Sequence, residues 1–181
     1  YDGLDKETRA YTVKPDTGDI RWGHDTSVGY FAQDHHEALN QTAAGFTAFD
    51  WLYSFDKNAP QEHIRSILGR LLFTGEAGLK ATSALSGGES ARLLLAKMIL
   101  GKHNVLILDE PTNHLDIESI EGLLEGLALF QGTVVVVSHD RHFIGQLATR
   151  VIELRPGNNV VDYGGTYDEF LEKQGTDYTR R

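Results

Sequence analysis

Two carboxylates stand side by side where an apolar run stops: Val105-Leu106-Ile107-Leu108 is followed at once by Asp109 and Glu110. Such a run reads as a buried parallel strand, and open α/β sheets bind ligands beyond the carboxyl ends of their strands. A carboxylate there suits a hydrated divalent cation, and its neighbour suits orienting or deprotonating an attacking water, as in nucleotide hydrolysis. The same residues also fit a strand that ends in a solvated turn. Leu85-Ser86-Gly87-Gly88-Glu89 adds a second element. Its two glycines let backbone approach a phosphate, and a helix that follows aims N–H groups and the positive end of its dipole at it. Ser86 with Glu89 three residues on is also a capping box, and helix initiation alone explains both. The readings are compatible, because an anion site needs a capped helix start. His139 closes another apolar run, 30 residues after Asp109, and an imidazole there suits a phosphate or an attacking water. Ser138-His139-Asp140 has the composition of a hydrolase triad, yet adjacent residues cannot converge as nucleophile, base and orienter.

The elements that must position these groups alternate. Pro15-Asp16-Thr17-Gly18 is a turn signal, with short strands expected at Asp19 to Trp22 and at Val28 to Gln33. Thr47 to Phe55 reads as a helix. Ile64, Ile67, Leu68, Leu71 and Leu72 recur with the period of an amphipathic helix, and Ala91 to Leu100 continues as another. Ile120, Leu123, Leu124 and Leu127 mark a helix between two buried strands, Val105 to Leu108 and Thr133 to Val137. Phe143, Ile144 and Leu147 mark the next. Strands at Val151 to Leu154 and Val160 to Tyr163 flank a Pro156-Gly157-Asn158-Asn159 turn, and Tyr167, Phe170 and Leu171 suggest a last helix. Strands alternating with helices predict an α/β layered fold with a largely parallel sheet.

Composition narrows the chemistry. The 181 residues carry 17 Lys plus Arg against 26 Asp plus Glu, a net charge of −9, and no cysteine. General attraction to nucleic-acid backbones is excluded, as are disulfides, thiolate metal sites and cysteine nucleophiles. No apolar run approaches the length of a membrane helix. Trp22, Trp51 and the tyrosines show no array interleaved with Lys or Arg, so no direct nucleic-acid patch is expected. Arg92 and Lys97 read as solvated. His35-His36 and the His139/His142 pair lack a companion cluster at ligand spacing. Tyr1 is not an initiator Met and no secretory segment follows it, so the chain start reads as a cut.

The order of these motifs resembles an ATP-binding-cassette ATPase. Gln33 matches the family's Q-loop, Ser86 to Glu89 its signature motif, and Asp109 and Glu110 its Walker B aspartate and catalytic glutamate. Asp116 matches the D-loop and His139 the switch histidine. Glu110-Pro111-Thr112-Asn113-His114-Leu115-Asp116, Ser138-His139-Asp140-Arg141 and Tyr163-Gly164-Gly165-Thr166-Tyr167 are similar to the ABC-F branch. The resemblance implies a P-loop NTPase-like ABC cassette with a mostly parallel sheet. A helical signature-motif subdomain over about residues 34–104 would be inserted in it, and 1–181 would be a partial cassette, the second of two. It implies ATP and Mg²⁺ as cofactors, with Asp109 and Gln33 toward the metal and Glu110 and His139 catalytic. Gln33, Ser86, Gly87, Gly88 and Asp116 would bind nucleotide. The implied partners are a companion cassette and the ribosome, in the cytoplasm and without a membrane. One element departs from the pattern. No Gly-x-x-x-x-Gly-Lys-Ser/Thr occurs, and the single Gly-Lys pair, Gly101-Lys102, has Ala96 and His103 at the flanking positions and reads as a helix cap. The expectation is a cassette truncated before its P-loop and inactive alone. A transporter's nucleotide-binding subunit and a non-catalytic module completing a partner's ATP site are the alternatives.

Overall fold

Val105–Asp109 is the central strand of a three-stranded parallel sheet. In chain order its strands are β1 (Val28–Phe31), β2 (Val105–Asp109) and β3 (Thr133–Val137), and they lie in that order. The register sets Tyr30 beside Ile107 and Asp109 beside Val137. A computed structural model describes residues 16–31, 45–113, 115–157 and 159–174. They fall into two units divided between Val137 and Ser138.

In the first unit the sheet is joined by α1 (Ala48–Phe55), α2 (Gln61–Arg70), α3 (Gly87–Leu100) and α4 (Ile117–Ala128). Two short 3₁₀ turns, Gly75–Leu79 and Thr82–Ala84, connect α2 to α3. Helix α3 packs on α4, and α1 and α2 pack on α3. The core is made by alternate residues of the strands and the apolar stripes of these helices. Val28, Leu106 and Leu108 are fully buried, as are Leu52, Ile64, Leu71, Leu93, Leu95 and Leu123. Side chains with period two on the strands meet side chains with period 3.6 on the helices. In the second unit, α5 (Arg141–Leu147) precedes an antiparallel hairpin of β4 (Arg150–Arg155) and β5 (Asn159–Gly164), and α6 (Tyr167–Gln174) follows. Gly157 takes φ +80 in the turn, as the Pro-Gly signal requires. No helix among the described residues is long and apolar enough to cross a membrane.

Most of the expected elements are present, and three expectations need correction. Asp19 to Trp22 is not a strand: Ile20 is 63% exposed, and Ile20 and Trp22 alone give a strand too little to bury. Thr133 to Val137 is a strand but not a buried one, with Val135 47% and Val137 55% exposed. One face of β3 packs while the other does not, and a continuous valine run cannot reveal that difference. Leu72 does not extend the buried stripe of α2. The helix ends at Arg70, and Leu72 adopts φ +65 with its side chain exposed. Gln33 and the His35-His36 pair lie outside the described residues.

Candidate functional site

The acidic end of β2 is held by its neighbours on both sides. Tyr30 of β1 donates its hydroxyl to Asp109 Oδ2 at 3.1 Å, and the parallel register brings the two strands' carboxyl ends together. The next residue, Glu110, donates its backbone N–H to the Val137 carbonyl at 2.8 Å and accepts from the Asn113 N–H at 3.2 Å. Glu110 is only 9% exposed and its φ is +47. That left-handed conformation disfavours any residue with a Cβ, and such outliers gather at functional sites. Pro111 and Thr112 behind it are also buried. The carboxylate pair is thus a built feature, unlike the solvated turn that the sequence equally allowed.

The second cluster joins two helix starts. Ser86 caps α3: its Oγ accepts from the Glu89 N–H at 3.2 Å, and the Ser86 N–H donates to Glu89 Oε2 at 2.8 Å. Asp116 caps α4, accepting from the Ser119 N–H at 2.9 Å. Gly88 lies between them. A Cβ at Gly88 would overlap the Ser119 hydroxyl and Cβ, so glycine is what lets the first turn of α3 seat on the first turn of α4. Ser86, Gly87, Gly88 and Asp116, read separately in the sequence, therefore share one edge. Two helix N-termini converge there with their positive dipole ends.

Lys80, which sequence reasoning missed, tightens this edge. Its ammonium donates to both Glu89 oxygens, at 2.8 and 2.9 Å. Burial works to raise the Glu89 carboxyl, and the bonds from Lys80 and the Ser86 N–H outweigh it and hold it below its ordinary value. A group with a lowered folded value stabilises fully above its ordinary 4.5 and loses that contribution as pH falls through the folded value. Lys80→Met is expected to raise the Glu89 titration midpoint, seen by carboxyl NMR, and to cost under about 1 kcal/mol at neutral pH, because Lys80 is exposed. No local pattern predicts this pair; the two residues meet because a short antiparallel bridge, Thr47 with Ala81, ties the loop to the start of α1.

Two other expectations are corrected here. Arg92 and Lys97 are not solvated. The ammonium of Lys97 lies 4.6 Å from the centre of the Phe55 ring, and Arg92 Nε is buried at the α3–α4 junction. Gly101 does cap α3, as expected. His139 stands in the second unit and is exposed, directly before Asp140, the cap of α5. Among the described residues no group of three His, Cys, Asp or Glu could enclose a metal ion.

A family model described as ABC transporter matches residues 7–113. The chain belongs to the ATP-binding cassette family. The Asp109-Glu110 pair and the Ser86–Gly88 edge fall within the matched segment of the cassette. The cassette is 43% identical over 178 residues to the probable ATP-binding protein YbiT of Escherichia coli O157:H7, covering 96% of this chain and 33% of that protein. It is 46% identical over 163 residues to the putative ATP-binding protein YdiF of Bacillus subtilis (strain 168), covering 90% and 25%. To ABC transporter F family member 2 of Arabidopsis thaliana it is 42% identical over 166 residues, covering 88% and 23%. The relatives are thus ABC-F ATP-binding proteins, and the cassette spans a quarter to a third of their length. Among solved structures, the RNase-L inhibitor shares the fold with a TM-score of 0.64 at 25% identity, over 90% of this chain and 33% of that one.

Proposed function

We propose that the cassette is part of an ABC-F ATPase, a two-cassette protein that hydrolyses ATP to ADP and phosphate and acts on the ribosome in translation. Glu110 carries the reading. A carboxylate that is buried, and held at φ +47 directly beyond Asp109, tolerates two costs that a simple turn avoids with an exposed glycine. The ABC-F branch is supported by the relatives named for it and by Pro111-Thr112-Asn113-His114-Leu115-Asp116. Ribosome and cytoplasm follow from that branch.

The residues present fit Mg²⁺ at Asp109. This ion is held by one or two carboxylates together with phosphate oxygens and water, so the lack of a larger cage among the described residues suits it. When bound, it neutralises part of the charge on the phosphates. The remaining work belongs to side chains of this chain. Tyr30 holds one Asp109 oxygen in place. Glu110 orients the attacking water and accepts its proton; His139 hydrogen-bonds the γ-phosphate; Gln33 contacts the metal or the water. Ser86, Gly87 and Gly88, with Asp116 beside them, face the ATP of the companion cassette. In this reading residues of about 34–104 form the helical subdomain of a second cassette. Its phosphate cradle lies outside these 181 residues, and the isolated chain does not turn ATP over.

The test is sedimentation of the intact protein through a sucrose cushion with purified ribosomes. The Glu110→Gln variant with ATP is expected to pellet with ribosomes, and to stay in the supernatant without nucleotide. Failure to pellet under both conditions, or recovery with membranes instead, would overturn the reading.

A further inference from the structure

The carboxylate of Asp109 is held by one group, and that group leaves its two oxygens unequal. Tyr30 pairs with Ile107 in the parallel register, so Asp109, two residues further along β2, shares its face of the sheet and lies diagonally across from it. The phenol donates to Asp109 Oδ2 at 3.1 Å, between residues 79 positions apart. Among the described residues Tyr30 is the only hydrogen-bond partner of that carboxylate, and no ion pair holds it. Tyr30 is half-buried, and phenylalanine would suit such a strand position equally well. What the hydroxyl adds is the bond to Asp109. Oδ2 is thereby fixed in direction with a lone pair engaged, while Oδ1 has no donor among the described residues. The two common divalent cations respond differently to such a ligand. Mg²⁺ demands near-octahedral geometry, keeps several waters, and takes one or two carboxylates together with phosphate oxygens. Ca²⁺ is larger, takes more oxygens, and readily accepts both oxygens of one carboxylate.

We infer that Tyr30 is a positioning residue that sets cation selectivity: by holding Oδ2 it presents Asp109 through a single oxygen, and so favours Mg²⁺ over Ca²⁺ at the nucleotide. The inference rests on the proposed reading, in which Asp109 serves the cation of Mg·ATP, and it names what selects that cation. Without the hydroxyl the carboxylate is free to turn both oxygens toward one ion. Ca²⁺ gains a second ligand by that rotation. Mg²⁺ gains nothing from it and loses an oriented oxygen, because the hydrogen-bond partners of a ligating group fix its direction.

The experiment measures binding rather than turnover. The intact protein and its Tyr30→Phe variant are titrated with mant-AMPPNP, a fluorescent and non-hydrolysable ATP analogue, saturated with Mg²⁺ in one series and with Ca²⁺ in the other. In Tyr30→Phe the Kd of the Mg²⁺ complex is expected to rise about tenfold, while that of the Ca²⁺ complex stays level or falls. The preference for Mg²⁺ therefore shrinks by about the same factor. Equal weakening with both cations, which a merely structural loss would give, would overturn the inference, and so would two unchanged values. Wild-type protein that binds the Ca²⁺ complex as tightly as the Mg²⁺ complex would overturn it without any variant. The hydrogen bond itself is checked in this chain alone: the carboxyl NMR shift of Asp109 at neutral pH is expected to move in Tyr30→Phe while that of Asp116 stays. An unmoved Asp109 signal would also overturn the inference. Wild-type protein that binds neither complex would overturn the proposed function and the selectivity with it. Wild-type protein that hydrolyses ATP, with an unchanged cation ratio in Tyr30→Phe, would leave the proposed function standing and remove the inference alone.

Discussion

Gly88→Ala is expected to destabilise the first unit by about 3 kcal/mol, read as a fall in the urea midpoint at unchanged slope. In an exposed helix the same change is favourable by up to about 1 kcal/mol, so the predicted sign is set by packing alone. The new methyl group would occupy the space of the Ser119 hydroxyl and Cβ, and Ser119 is itself buried on the first turn of α4. Neither helix can yield easily, because Ser86 and Asp116 fix the two starts through their own caps. Ser119→Gly removes both offending atoms and leaves the Ser119 Cα at 3.4 Å, an ordinary contact. The double variant is therefore expected to recover about 2 kcal/mol relative to Gly88→Ala, a coupling energy that a simple loss of helix flexibility cannot produce. An additive pair would show that the helix starts do not meet as described.

Glu110 carries the second large effect, and its backbone and side chain can be separated. At φ +47 a Cβ is disfavoured whatever the side chain does. Glu110→Gly is therefore expected to be more stable than Glu110→Ala by about 1 kcal/mol, the reverse of their order in a helix or strand. Equal stabilities would mean that the turn relaxes and that no strain is stored there. Glu110→Gln tests the side chain: shape and burial are kept, while the group that accepts a proton is lost. If the carboxylate is the general base, turnover falls by at least about 100-fold with stability little changed. Together the three variants divide what the residue costs the fold from what it contributes to chemistry.

The local structural patterns are easier to read from the residues than the way they are brought together. The Ser86-x-x-Glu89 box, the strand ending in Asp109 and the Asp116 cap are local patterns, and local patterns survive folding because they depend on neighbours a few residues away. Burial of β3 was misread for the opposite reason. The four valines from Val134 to Val137 include no polar position to mark an exposed face, so only the surrounding structure tells Val135 from Val136. Asp19 to Trp22 failed because alternation over four residues does not create something to pair with. The contacts that hold the site, Tyr30 on Asp109, Lys80 on Glu89 and Gly88 on Ser119, join residues 79, 9 and 31 positions apart. Register and helix packing bring them together, and neither is written in spacing. Arg92 shows the limit most clearly: on a helical wheel it is an exposed cation, and in the fold its Nε is buried between α3 and α4.

In the proposed reading Glu110 activates water at an ATP site, and these 181 residues hold no Gly-x-x-x-x-Gly-Lys-Ser/Thr to cradle its phosphates. The most direct test is steady-state ATP hydrolysis at saturating Mg·ATP by the intact protein, by its Glu110→Gln variant and by this chain alone. The account predicts turnover in the first, a loss of at least about 100-fold in the second and none in the third. Hydrolysis by the Glu110→Gln protein within a few-fold of wild type would contradict it, as would turnover by the isolated chain.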